Sequence, residues 1–221
     1  LAQFAPAGQL DDDTATLPAT NALQLINTDV LVEGVHFSDA TTSPEDVGWR
    51  AAAMNLSDLA ASGAGSVVGV TIGMVAPGHT PWSWVEGVYQ GLNAAHDRFG
   101  GIVLGGDCSG GQQRMLAVTA IGHLGPLRLL RSAAKPGDKI VVSGPHGLSR
   151  LGLALLQRDA AIEALTLPPE LVQTAIHCHQ RPTPRLDALH QLIGCKSDGS
   201  PWRAGGTDSS DGLLQALRLL S

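Results

Sequence analysis

Cysteine is sparse in this chain: Cys108, Cys178 and Cys195 are the only three. An odd, scattered set rules out a disulfide scaffold and suits a reducing compartment. Basic residues are also few, 14 Lys and Arg against 20 Asp and Glu for a net charge of −6. That balance argues against a general binder of nucleic acid or of anionic membranes. No apolar run reaches the roughly 20 residues that a membrane span needs, and no secretory-signal pattern opens the sequence. These absences predict a soluble, cytoplasmic protein without membrane or nucleic-acid partners. Two nucleotide-binding patterns are missing as well: no GxGxxG opens a helix, and the segment after Gly105-Gly106 has no Walker A lysine. No GxSxG marks a nucleophile elbow either.

Glutamate is the most informative shortage, with five Glu against fifteen Asp. Helix surfaces use Glu freely, whereas Asp is the poorer helix former and favours turns and caps. Eight of the fifteen Asp are gathered at Asp11-Asp12-Asp13, Asp29, Asp58, and then Asp107, Asp208 and Asp211. Several follow an apolar run and stand beside Gly, Ser or Thr. Short carboxylates at strand ends and helix starts are the ligands that hard divalent cations take.

The 221 residues and 22.8 kDa suffice for one large domain or two modest ones with a real core. Leu23 to Ile26 reads as a strand running into Asn27-Thr28-Asp29, with an extended pattern continuing to Phe37. Ser43-Pro44-Glu45-Asp46 is a helix start, with Ser at the N-cap and Pro at N1. That helix is expected to end near Ser62, before a Gly63 cap. Ser66 to Val75 reads as a buried strand. A second amphipathic helix follows Thr80-Pro81 and ends at Gly100. Ile102 to Leu104 is a strand expected to break at Gly105-Gly106-Asp107, and Met115 to Leu124 is another. The domain boundary falls at Gly125-Pro126, dividing the chain into 1–125 and 126–221. Beyond it the pattern predicts a strand over Lys139 to Ser143 and a helix from Leu148 to Gln157. A polar helical region reaches His179, then come a rigid Arg181-Pro-Thr-Pro-Arg185 linker, a helix near Asp187 to Ile193 and a last helix ending at Leu220, capped by Ser209 or Ser210. Alternating strands and helices give an α/β or α+β class.

Taken singly, each acidic cluster has an ordinary reading beside a functional one. Asp11-Asp12-Asp13 is a solvated loop or a cation ligand. Asn27-Thr28-Asp29 is an Asx-turn or a cation site at a strand end, and His36 is a packing residue or a phosphate donor. Asp58 lies inside a strongly predicted helix, on the stripe of Met54 and Ala61, with no basic residue within one turn. A carboxylate there needs a partner, either a basic side chain or a metal. Gly105-Gly106-Asp107 is a turn or a close approach to a phosphate. Asp208-Ser209-Ser210-Asp211-Gly212 is a helix cap or a dock for a magnesium triphosphate. Arg131 and Lys135 are the basic residues best placed to meet phosphate. His177-Cys178-His179 matches no tetrahedral zinc spacing.

In order, the segments Asp-Asp-Thr-Ala-Thr-Leu, Asn27-Thr-Asp-Val-Leu-Val-Glu-Gly-Val-His-Phe37, Asn55-Leu-Ser-Asp-Leu-Ala-Ala-Ser-Gly-Ala64, Gly-Gly-Asp107 and Asp208-Ser-Ser-Asp-Gly-Leu213 resemble the thiamine-monophosphate kinase family. The likeness extends through Arg131 to Asp138 and Arg181 to Arg185. The wider superfamily, which includes aminoimidazole ribonucleotide synthetase and selenophosphate synthetase, shares the acid pattern but not the Val-Glu-Gly-Val-His-Phe wording.

The resemblance implies transfer of the γ-phosphoryl group of ATP onto thiamine monophosphate, in line and directly, within a site holding several Mg²⁺. It implies metal ligation by Asp13, Asn27, Thr28, Asp29, Asp58, Asp107, Asp208 and Asp211. Asn27 stands where the family has Ser or Thr. The principal catalytic roles would fall on Asp29, Asp58, Asp107 and Asp211. Gly106, Asp107, Arg131 and Ser210 would meet ATP, and His36 the substrate. The implied fold is an N-terminal α/β domain, whose sheet pairs with a second subunit's to close a barrel in a homodimer. A partial α+β C-terminal domain follows. The family continues past the Asp-Ser-Ser-Asp-Gly motif with a segment that helps hold thiamine, so activity of this chain alone is open. The competing expectations are a related ATP-dependent synthetase and a nucleotide-binding chain without turnover.

Overall fold

The computed structural model describes residues 1–10, 14–194, 197–198 and 203–221. Strand β1 (Gln24–Val32) turns Leu25 and Leu31 inward and leaves Ile26, Thr28 and Val30 outward, the two-residue alternation of a sheet with one covered face. Helix α1 (Pro44–Ala61) starts as expected: Ser43 accepts a hydrogen bond from the Asp46 N–H, and Pro44 occupies the first turn. It closes before Gly63, whose φ of +92° suits glycine. Strand β2 (Ala64–Ala76), helix α2 (Trp82–Phe99) and strand β3 (Ile102–Gly110) form a parallel βαβ unit. Strand β4 (Met115–Leu124) then inserts antiparallel between β1 and β2, giving the order β1-β4-β2-β3.

Both long helices cover one face of this sheet. Val70, Ile72, Leu116, Val118 and Ala120 meet Val47, Leu56, Val88 and Leu92 in a single core. The close packing expected of α1 comes chiefly from glycines. A Cβ on Gly48 would lie 1.8 Å from the Val88 carbonyl oxygen, and one on Gly91 would lie 1.8 Å from that of Glu45. Two backbones approach that closely only where neither carries a side chain.

Among the described residues beyond Leu124 there are helices and coil but no strand. Helix α3 (Leu148–Leu156) packs on α5 (Pro169–Gln180), with a short α4 (Ala160–Glu163) between them; α6 (Leu186–Gly194) and α7 (Leu213–Leu220) follow. The strand expected over Lys139 to Ser143 is coil, with Ile140 71% and Val141 74% exposed. β-branched residues there have the propensity, but a strand also needs a neighbour for its backbone groups, and none stands beside it among the described residues. The Arg181 to Arg185 linker is a strap laid along α1. The Trp49 indole N–H donates to the Pro182 carbonyl (2.9 Å), Gln180 Nε2 donates to the Thr41 carbonyl (2.9 Å), and Arg181 pairs with Asp46.

An acidic cluster between β1, α1 and the segment before α7

Asn27 and Asp29 lie on the inward, α1-facing side of β1, since they share the parity of Leu25 and Leu31. Asn55, fully buried on α1, receives them: its Oδ1 accepts from Asn27 Nδ2 (3.1 Å) and from the Asp29 backbone N–H (3.2 Å). Its own Nδ2 donates to the Ala51 carbonyl (2.9 Å). One turn on, Asp58 Oδ2 accepts from Asn27 Nδ2 (3.0 Å). The partner that Asp58 requires is therefore first an amide across the strand.

The third contributor arrives from far along the chain. A Cβ on Gly206 would stand 2.8 Å from the Ala61 carbonyl oxygen at the end of α1, and Gly205 packs as closely on Ala134. These glycines let the 203–207 segment lie against both, which delivers Asp208 to the neighbourhood of Asp58. Asp208 accepts from the Ser210 N–H (3.2 Å) and hydroxyl, and the Arg131 guanidinium lies 3.8 Å from its other oxygen. Arg131 also donates to the Thr207 hydroxyl (3.1 Å), and Ser209 pairs with His146 (3.0 Å). Neither Ser209 nor Ser210 caps α7: Gly212 occupies the cap position, without a side-chain bond. His36 sits in the turn after β1, which Arg114 ties down by pairing with Glu33 and Asp39. His36 Nδ1 accepts the Val32 N–H (3.0 Å), so in the neutral ring Nε2 carries the proton.

These groups also act on one another electrostatically. Burial, then the negative charges of Asp208 and Asp29, push the Asp58 carboxyl up to about 6, against relief from Asn27 and Arg131. Asp29 is raised by burial and by Asp208 and Asp211, while His36 counteracts. Asp29, Asp58, Asp208, Asp211, His36 and Arg131 thus lie within electrostatic reach of one another, although among the described residues no three His, Cys, Asp or Glu side chains are grouped so as to hold a metal ion.

Two expected contributors do not join them. The Thr28 hydroxyl bonds Thr119 (2.8 Å) on the outer face of the sheet, as its alternate parity requires. Asp107 lies on β3, opposite Gly73. Its neighbour Cys108 pairs with the inward-facing Met74, so Asp107 faces outward. The strand order puts β3 three positions from β1, about 14 Å across the sheet. Nor does the strand break at the glycines. The chain passes Gly105-Gly106 by a register shift opposite Val70 and Thr71, with Gly106 held against the Ile72 backbone. Asp13 lies outside the described residues.

Asn27 supplies the fit test for a cation: its Oδ1 is buried with no hydrogen-bond partner among the described residues, while its Nδ2 bonds Asp58. An orphaned amide oxygen next to a carboxylate is the kind of hard oxygen donor Mg²⁺ takes. Sequence reading missed Asn55, Thr207 and His146. The i, i+3 spacing of Asn55 and Asp58 on one helix face was the available signal for the first.

A one-sided α/β sheet with acids at its rim is the architecture of a known class. Residues 11–124 match the family described as AIR synthase related protein, N-terminal domain, and the chain belongs to that family. Relatives of the chain include thiamine-monophosphate kinases. The one from Prochlorococcus marinus is 53% identical over 220 residues, covering 100% of this chain and 66% of the relative. The crystal structure of the Stenotrophomonas maltophilia thiamine-monophosphate kinase superposes with a TM-score of 0.78 at 34% identity, over 95% of this chain and 63% of that one. AaThiL complexed with AMPPCP and TMP superposes with a TM-score of 0.69 at 31% identity, over 87% of this chain and 63% of that one. The chain spans 65–66% of the length of the first curated relatives it matches.

Proposed function

We propose that the protein phosphorylates thiamine monophosphate to thiamine diphosphate with ATP, by direct in-line transfer in a site holding several Mg²⁺. The observation that carries this reading is the convergence of Asp29, Asp58 and Asp208 beside the Arg131 guanidinium. The kinase relatives, one of them solved with AMPPCP and TMP, supply the substrate pair.

Two phosphate-bearing anions must meet for this reaction, and phosphoryl transfer asks the protein mainly for positioning and charge neutralisation. Asn27, Asp29, Asp58 and Asp208 would hold Mg²⁺, whose chemistry is to neutralise and align phosphate oxygens. Asp211 completes the proposed ligand set, with Asp13 proposed as a further ligand. Arg131 and the Ser210 hydroxyl would bind ATP oxygens, exchanging their present bonds to the 207–208 segment for the nucleotide. The His36 Nε2–H would donate to the acceptor phosphate. That phosphate is ionised near neutral pH, so no strong general base is called for. Asn55 acts as a positioning residue, fixing the Asn27 amide and the β1 backbone.

We further propose a homodimer closed through the outer face of the sheet, where Thr28 and Asp107 are carried, and a division of the chain at 125/126. Incubation with Mg-ATP and thiamine monophosphate is expected to yield thiamine diphosphate and ADP, with Asp58→Asn abolishing turnover. A phosphorylated protein trapped with ATP alone would refute direct transfer. The exposed, unpaired 139–143 run favours one second reading, a chain that binds nucleotide without turnover. Calorimetric binding of Mg-ATP with no diphosphate product selects it.

A further inference from the structure

Away from the acidic cluster, three helices bring positive charge together without a counter-charge. Arg50 of α1 is half-buried, its Nη1 is fully shielded from solvent, and that nitrogen has no hydrogen-bond partner among the described residues. The carboxylate best placed to neutralise it is Asp46, one helical turn earlier, but Arg181 has taken Asp46. A buried guanidinium without an anion is costly, and proteins rarely leave one so.

His179 of α5, only 6% exposed, lies two residues before Arg181, and the Arg181–Asp46 and Trp49–Pro182 contacts bring this end of α5 to the Asp46–Arg50 turn of α1. Gly152 of α3 packs directly on the Ala175 carbonyl and the His179 Cβ, which locks α3 to α5. That places Ser149 at the ring, with its hydroxyl 3.4 Å from His179 Nδ1. Arg150, next in α3, is exposed and forms no ion pair or side-chain hydrogen bond among the described residues. The charges of Arg50 and Arg150 both act on the imidazole, and together with burial they hold it neutral, at about 4. The junction therefore offers two guanidinium groups, a hydroxyl and a neutral ring, open to solvent on the Ser149–Arg150 side.

We propose that Arg50, Arg150, Ser149 and His179 form a binding site for a phosphate-class oxyanion at the junction of α1, α3 and α5. Two guanidinium groups match the charge of a phosphate dianion and the fork geometry that oxyanions prefer. Arg50 precedes Asp58 by eight residues on α1, about 12 Å along the helix axis, so the site is separate from the acidic cluster. It does not depend on the kinase reading. The anion is free phosphate or the phosphoryl group of a small ester.

The test titrates inorganic phosphate, and separately phenyl phosphate, into the 221-residue chain at constant ionic strength, following the His179 ring resonances by NMR. A saturable His179 shift with phosphate is expected, weakened about tenfold or more in Arg50→Gln and several-fold in Arg150→Gln. It should be unchanged in Arg131→Gln. A response to the ester as well identifies a phosphoryl site, and a response to phosphate alone identifies a free-anion site. A shift that never saturates, that chloride reproduces, or that survives both the Arg50 and the Arg150 substitutions overturns the proposal. Should Arg50→Gln fail to fold, the exposed Arg150→Gln decides: an unchanged affinity overturns it.

Discussion

Two titratable residues give this protein opposing responses to acid. Asp58 has a folded-state value raised to about 6 from 3.8. A raised carboxyl binds its proton more tightly in the folded state, so its contribution is favourable below pH 3.8 and is lost as pH rises through about 6. Without divalent metal, Asp58→Asn should stabilise the protein at pH 7 by about 1–2 kcal/mol, after allowance for solvent screening. The gain should disappear below pH 3.8 and reverse in sign once Mg²⁺ is added, which urea melts with and without chelator will read. His179 runs the other way, its folded value lowered from 6.5 to about 4. The unfolded chain takes up a proton below pH 6.5 that the buried ring refuses, so stability falls by about 3 kcal/mol between pH 6.5 and 4. His179→Gln should flatten that part of the stability–pH curve. The need of Asp58 for a partner was legible, because the helical stripe fixes its burial. The identity of the partner was not: Asn27 stands 31 positions earlier, and no local rule joins a strand amide to a helix acid.

At the scale of elements, start signals were legible wherever one residue type does one job. Ser43-Pro44 begins α1, and Gly63 and Gly100 stand just past the ends of α1 and α2, each with positive φ. What could not be read was the face a residue occupies after an irregularity. The register shift beside Val70 decides that Cys108 points in and Asp107 out, and glycine pairs signal bulges and turns alike. Lys139 to Ser143 failed for a different reason, since strand propensity was present and a pairing neighbour was not. The helix pair gives the sharpest test at this scale. With a Cβ on Gly91 falling 1.8 Å from the Glu45 carbonyl oxygen, Gly91→Ala forces α1 and α2 apart. The resulting overpacking should cost about 3 kcal/mol or more, although alanine is the better helix former. Chemical denaturation will show it. A neutral or stabilising result would mean that the helices slide freely on the sheet.

Across the whole molecule, the uncovered face of the sheet is the feature that the fold alone leaves unexplained. Ile26 is 70% exposed and Val30 41%, and beside them run Thr28, Thr119 and Thr71 in one paired row, with Asp107 on the same face. A sheet buried on one side ordinarily shows polar residues on the other. Exposed β-branched side chains in register across strands are instead the surface of a face that packs on something. In a two-fold pair the same patch meets itself, so residues that approach the axis are duplicated. A single charge placed there is therefore opposed by its own copy across the interface. Ile26→Glu is thus expected to convert the proposed dimer into a monomer in sedimentation experiments, while the melting temperature of the separated chain stays close to its value at high dilution. The Asp29–Asp58 cluster lies on the opposite, helix-covered side of the sheet, so metal-linked stabilisation should survive in that monomer if one chain suffices to build it. Loss of Mg²⁺ stabilisation together with the dimer would mean that the second copy helps to assemble the acidic site.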